Sequence, residues 1–207
     1  MSRYAVITDA AIELVAELGM RGLTHRAVDA RAGLPPGTTS AYYRTRKALI
    51  EGLVRRIAEL DRADLEQSAL PADAAPTFPQ VLGRAEFEHL AGQIAGVVDQ
   101  WLTTGRTRTL ARYACLLEAT HHPELRGILE HGTASRAQAR ALLAAGGAKD
   151  PDQAGAHFVA FVDGLLFDRL IGAGALTAPT PGTPESRADL TAAARALLFA
   201  LTSPDTP

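Results

Sequence analysis

The chain has 207 residues, 47% of them hydrophobic and 21% charged, enough to bury a full core in one or two compact domains. No stretch nears the roughly 20 apolar residues of a membrane span, and MSRYAVITDAAIELV lacks the basic-then-apolar pattern of a secretory leader, so a cytoplasmic protein without membrane association is expected. The net charge of −2 hides an asymmetry: residues 1–56 hold nine Lys/Arg against five Asp/Glu, whereas residues 57–207 are acidic, which excludes a nucleoid-like nonspecific DNA binder but leaves a basic head suited to phosphate.

In chain order, Ile7, Ala10, Ala11, Leu14, Val15 and Leu18 recur at helical spacing, predicting an amphipathic packing helix over Arg3 to Leu18 that Gly19 ends. Thr24 suits the N-cap of a short second helix, His25 to Ala32, closed by Gly33. Leu34-Pro35-Pro36-Gly37 reads as a turn, with Pro36 able to open a third helix, Pro36 to Tyr43. That helix carries Gly37, Thr38, Thr39, Ser40, Ala41, Tyr42 and Tyr43, too few bulky aliphatics for a core element, and its hydroxyls and aromatics suit phosphates and base edges. Helix, tight turn and helix within about twenty residues form a helix-turn-helix pattern. Thr45 then caps a long helix through Leu49, Leu53, Val54, Ile57 and Leu60 toward Leu65.

Ala69 to Pro79 carries three prolines and reads as a loop. Further helices are predicted over Gln80–Thr103, Arg106–His121, Pro123–Ala145, Pro151–Ala173 and Pro184–Leu201, before a disordered tail TSPDTP. No alternating strand pattern is present, so the expected class is all-α. The single cysteine, Cys115, excludes a disulfide framework and reads as a small buried apolar residue. His121 and His122 point about a quarter-turn apart on a helix and read as a helix end before Pro123; no metal site and no cofactor are expected.

The segment GLTHRAVDARAGLPPGTTSAYYRTRKALI, residues 22–50, resembles the DNA-binding signature of the tetracycline-repressor-like (TetR) family. The resemblance implies an N-terminal three-helix helix-turn-helix DNA-binding domain, residues 1–47, and a C-terminal helical effector-binding and dimerisation domain, residues 48–207, with the helix over 48–66 joining them. It implies that His25 and Arg26 reach a phosphate and a base edge. Pro36, Gly37 and Thr38 would face base edges, Ser40 and Tyr42 phosphates, and Arg46 would stand for the family's phosphate-binding Lys. Ser40 departs from a frequent Tyr, and Tyr43 replaces the usual Phe and reads as core. Thr39, Arg44 and Lys47 complete the candidate surface, the two cations being equally consistent with a solvated face.

One recognition helix reads only a few base pairs, so a homodimer on a palindromic operator is expected, with half-sites about 34–36 Å apart. The last two predicted helices are its candidates. Phe158, Val162, Leu165 and Leu166 form one apolar face and Leu190, Ala194, Leu197, Leu198 and Leu201 another, although ordinary intrachain core accounts equally well for about half of these. Phe87, Leu90, Trp101, Tyr113, Leu116, Leu117 and Phe161, with Glu118 and His121 as polar anchors, are candidate walls of a pocket for an unidentified small-molecule effector; an aromatic stripe at helical spacing is also what core looks like. The resulting expectation is a transcriptional repressor released from DNA by a ligand. The rival from another class, a small helical hydrolase using Glu118, His121 and His122, lacks an activated nucleophile, and no catalytic residue is assigned.

Overall fold

The computed structural model describes residues 2–67, 84–122 and 131–202, and every regular element among them is a helix. They are α1 (Arg3–Gly22), α2 (His25–Arg31), α3 (Thr38–Tyr42), α4 (Arg46–Gln67), α5 (Arg84–Leu102), α6 (Arg106–His121), α7 (His131–Ala145), α8 (Pro151–Leu170), α9 (Gly174–Thr177) and α10 (Pro184–Thr202). The expected loop over Ala69 to Pro79, the residues before Arg84, those from Pro123 to Glu130 and the tail after Thr202 lie outside the described residues. Two compact units form, Met1–Asp61 with Gly105–Gly132, and Arg62–Thr104 with Thr133–Pro207. The boundary expected at residue 47/48 falls in the first turn of α4, which runs through it unbroken. No helix among the described residues is long and apolar enough to cross a membrane.

The first unit is built on α1. Ile7, Ala11, Leu14 and Val15 face inward and join Leu23, Val28, Leu49, Leu53 and Ile57, with Ala111, Cys115 and Ala119 of α6 completing the core. Gly19 breaks the helical geometry at φ 66°, as glycine alone does without strain, and one further turn follows it. Leu18, expected on the packing face, is 61% exposed, while Met20 beyond the break tucks in against Cys115, sulfur to sulfur at 3.9 Å. Burial pushes the Cys115 thiol up to about 12, so it stays protonated and behaves as the small apolar residue its setting suggested.

The second unit packs α5 against α10 and α8. Leu90, Ile94, Val97, Val98 and Leu102 of α5 are buried, as are Leu166 and Leu170 of α8 and Leu190, Ala194 and Leu198 of α10. Asp99 anchors the start of α10: its carboxylate accepts the Gly182 amide at 2.9 Å and the Ser186 hydroxyl at 3.3 Å. Thr183 caps the same helix by accepting the Ser186 amide. Asp64 near the end of α4 accepts from Gln100 Nε2 at 2.9 Å and from the Trp101 indole at 3.0 Å. The helix expected over Pro151–Ala173 ends instead at Leu170. There Asp168 reaches forward to the Gly174 amide, and its carboxylate occupies the place a Cβ on Gly174 would take.

Candidate nucleic-acid interface

Two short helices and a turn form the candidate surface, and polar anchoring rather than bulk holds them. Thr24 caps α2 as expected, accepting the Ala27 amide at 3.1 Å. After the turn, Gly37 sits at φ 89°, a left-handed conformation that only glycine adopts readily, and α3 begins at Thr38. Pro36 thus belongs to the turn and does not open the helix, because the left-handed residue between it and Thr38 interrupts helical geometry.

The residue that fixes α3 is one that sequence reasoning passed over. Asp29 of α2 is 3% exposed and accepts three hydrogen bonds from the start of α3: the Gly37 amide at 2.7 Å, the Thr39 amide at 2.7 Å and the Thr39 hydroxyl at 2.6 Å. Burial by itself would raise this carboxyl; the Thr39 hydroxyl, the two amides and the nearby His25 together outweigh it and hold it below the ordinary Asp range. An ionised acceptor so placed satisfies α3's first amides and opposes the positive end of the helix. The available signal was its isolation, as Asp29 is the sole acid between Met20 and Lys47.

Thr39 is correspondingly turned inward and fully buried, its hydroxyl committed to Asp29, so it supports α3 and does not belong to the exposed surface where it was expected. Pro36, Gly37, Ser40 and Tyr42 are exposed, and Thr38 is half-buried with its hydroxyl donating to the Pro35 carbonyl at 2.6 Å. His25 is also half-buried; its Nε2 lies 2.7 Å from the Tyr43 carbonyl, a contact that requires a proton on that nitrogen and ties α2 to the end of α3. Tyr43 packs over the backbone of Gly52 in α4, where an added Cβ would come within 2.5 Å of the ring. This agrees with its reading as a core aromatic.

The cations sort into two groups. Arg31 is taken by Glu13 and Glu17 of α1, at 3.3 and 2.6 Å, Arg56 by Asp9 at 2.8 Å, and Lys47 faces Glu51 at 3.8 Å. Arg46 donates to the carbonyls of Met20 and Leu23, so its first task is to pin the start of α4 to the turn after α1. Arg3, Arg21, Arg26 and Arg44 are exposed and pair with no acid among the described residues. The exposed face of α3 is therefore flanked by unneutralised guanidinium groups, with Arg26 before it and Arg44 after it.

The residues expected to wall an effector pocket divide between the two units. Phe87, Leu90, Trp101 and Phe161 belong to the second unit, Tyr113, Leu116, Leu117, Glu118 and His121 to the first. Leu90 and Tyr113 are buried core, Leu117 and His121 are exposed, Glu118 is within 3.4 Å of His122, and Arg112 lies over the Tyr113 ring at 5.3 Å. A cavity of about 170 Å³ does exist in the second unit, lined by Leu102, Arg169, the segment Gly174–Pro181 in part, Ser186, Asp189 and Leu190, and by none of those nine residues. Among the described residues no cluster of three or more His, Cys, Asp or Glu could hold a metal ion.

Of the nine residues expected at a dimer interface, Leu166, Leu190, Ala194 and Leu198 are at most 4% exposed within the single chain. They are intrachain core, packed by α5 from the inside. Phe158, Val162, Leu165, Leu197 and Leu201 are half-buried, and the apolar groups turned out beside them are Phe161, Phe167, Ile171 and Phe199, at 41, 43, 51 and 67% exposure.

Residues 85–202, more than half of the chain, match the family model described as the C-terminal domain of tetracyclin repressor-like proteins. The chain belongs to the TetR family. It is similar in fold to the multidrug-binding protein EbrR complexed with imidazole, to which it is 25% identical with a TM-score of 0.67 over 100% of this chain and 98% of that one. EbrR complexed with malachite green is 26% identical, TM-score 0.65, over 99% and 100%. A TetR-family member of Streptomyces coelicolor A3, SCO1917, is 26% identical, TM-score 0.70, over 99% and 100%. No curated protein matches the chain. The TetR assignment from the C-terminal half is independent of the N-terminal signature that first suggested it.

Proposed function

We propose that this TetR-family chain is a cytoplasmic, homodimeric DNA-binding repressor, not an enzyme, that reads a palindromic operator through α3 and releases it on binding a small molecule. The observation that carries the reading is the exposed, hydroxyl-bearing face of α3, set by Asp29 and flanked by the unpaired Arg26 and Arg44. Exposed hydroxyls and peptide groups on a short helix suit base edges and phosphates, and unpaired guanidiniums supply the counterion-releasing contacts that drive association. Residues 1–47 carry this reading and residues 48–207 the effector and dimer roles.

The exposed Phe161, Phe167, Ile171 and Phe199 of α8, its C-cap and α10 support a twofold interface, since monomeric proteins rarely leave four large apolar side chains of two neighbouring elements in water. For the effector, the support comes from EbrR, described as multidrug-binding and bound to imidazole and to malachite green. A small nitrogen-containing aromatic compound is the class to try first. Helix α4 provides a mechanical route: Asp64 is hydrogen-bonded to Gln100 and Trp101 of α5, and the same unbroken helix begins at Arg46. A ligand that prefers a displaced α5 would shift α4 and so the DNA-reading end, as differential affinity requires.

The test is selection of sites from random duplex DNA by the purified protein, followed by titration of the enriched site at two salt concentrations and then with malachite green. A palindrome bound with a steep salt dependence and weakened by the dye supports all three parts. No enrichment by folded protein would refute the DNA reading, and an operator indifferent to the dye would refute that effector class.

A further inference from the structure

Tyr4, in the first turn of α1, is 55% exposed, and its ring stands edge-on to Tyr42 of the recognition helix with centroids 4.9 Å apart. It also meets Tyr43 edge-on at 6.0 Å. Three tyrosines from the start of α1 and the end of α3 thus form one cluster, of which two rings remain open to solvent. Packing alone does not account for it, because Ile7 and Ala11 already bury α1 in the core and a phenol left largely in water gains little from burial.

The chemistry around Tyr4 is that of an anion-facing surface. Arg3 beside it is exposed and pairs with no acid among the described residues, and the first turn of α1 holds no Asp or Glu. The nearest acid on α1, Asp9, is held by Arg56 at 2.8 Å, and Glu59 of α4, whose charge acts on Tyr43, faces Arg56 at 3.6 Å and is offset there by Arg55. Tyr42 next to it is exposed and sits where a phosphate contact is expected, so whatever Tyr42 reaches lies within a side chain's length of Tyr4. Phenol hydroxyls and guanidiniums are among the usual donors to backbone phosphate.

We infer that Arg3 and Tyr4 form a second phosphate-contacting point on the DNA surface, so that α1 grips the strand beside the recognition helix and does more than pack it. The inference rests on the DNA-reading function proposed above. Tyr4 adds a neutral donor and Arg3 a charge, and the two leave different signatures: only loss of a charge changes the number of counterions released.

The experiment measures the affinity of wild type, Tyr4→Phe, Tyr4→Ala and Arg3→Ala for the enriched operator at two salt concentrations, with thermal melting of each protein as the folding check. Tyr4→Phe should bind at least about 10-fold more weakly with an unchanged salt slope, the loss of one hydrogen bond to a charged group at each half-site. Arg3→Ala should weaken binding similarly and lower the slope by about 1.8, about 0.9 for each half-site. Wild-type affinity in both Tyr4→Phe and Arg3→Ala would overturn the inference, leaving the DNA reading intact. Weak binding by Tyr4→Ala alone would overturn it too, by showing that the ring only props Tyr42. If wild type selects no duplex at all, the DNA reading fails and takes this inference with it.

Discussion

The α2–α3 region of the first unit and the α5–α8–α10 bundle of the second are both built from helices anchored by a buried aspartate, yet they differ in how much residue type reports. Asp29 fixes the start of α3 as Asp99 fixes the approach to α10, each accepting backbone and hydroxyl donors from the element it holds. In the α2–α3 region several residues each have one polar or backbone job, and residue type reports it: a threonine cap, a left-handed glycine, an arginine pinned to carbonyls. In the bundle, by contrast, the neighbours are interchangeable apolar side chains. Their type says that something is covered but not whether by the same chain or another. Polar contacts are directional and few, whereas apolar burial is neither, so function is easier to read where the structure is held by hydrogen bonds.

The bundle half of this contrast is tested most severely by two adjacent residues. Leu198 is 1% exposed and its neighbour Phe199 67% exposed. Leu198→Ala should destabilise the fold by about 2–5 kcal/mol in chemical denaturation, as large-to-small core changes do. Phe199→Glu should leave helical content unchanged and halve the mass seen by sedimentation. If both variants melt alike and remain dimeric, the division into inner and outer faces is wrong.

The next largest effect concerns the polar half. Asp29→Ala leaves the Gly37 and Thr39 donors buried without their acceptor and should cost about 2–3 kcal/mol, abolishing operator binding as α3 loses its anchor. Because the folded carboxyl is held below its unfolded value of about 3.9, its contribution is fully present above that pH and is lost as pH falls through the folded value. Acid titration of wild type should therefore show a loss of stability below about pH 4 that is smaller in Asp29→Asn, the remainder coming from groups such as Glu17 that are also held low. An unchanged acid limb in Asp29→Asn would remove Asp29 from its assigned role.

Gly52→Ala probes the seat of Tyr43 and should cost about 1–3 kcal/mol, since the ring must leave the place the new methyl occupies. Operator affinity should fall with it, measured by the same titration. The smallest effects separate paired from unpaired cations. Arg44→Ala should lower the salt slope of DNA binding by about 1.8, about 0.9 for each half-site, while Arg31→Ala, whose guanidinium is already neutralised by Glu13 and Glu17, should leave the slope as it is. Equal slopes for both variants would dissolve that distinction.

The sequence by itself determined the all-helical class, the caps at Thr24 and Thr45, the breaks at Gly19 and Gly33, the end of α6 at His121 and the family, because each depends on backbone geometry that a few neighbouring residues dictate. Tertiary structure alone decided the rest. Thr39 turns inward because a carboxylate ten residues earlier takes its hydroxyl, and Arg31 is withdrawn from the basic surface by acids 14 and 18 residues earlier. On α8 the large apolar groups Phe158, Phe161, Leu166 and Phe167 face several directions, so periodicity does not say which of them α5 covers. Local rules govern the chain over about one helical turn; what lies against that turn is settled only when distant segments compete for the same surface.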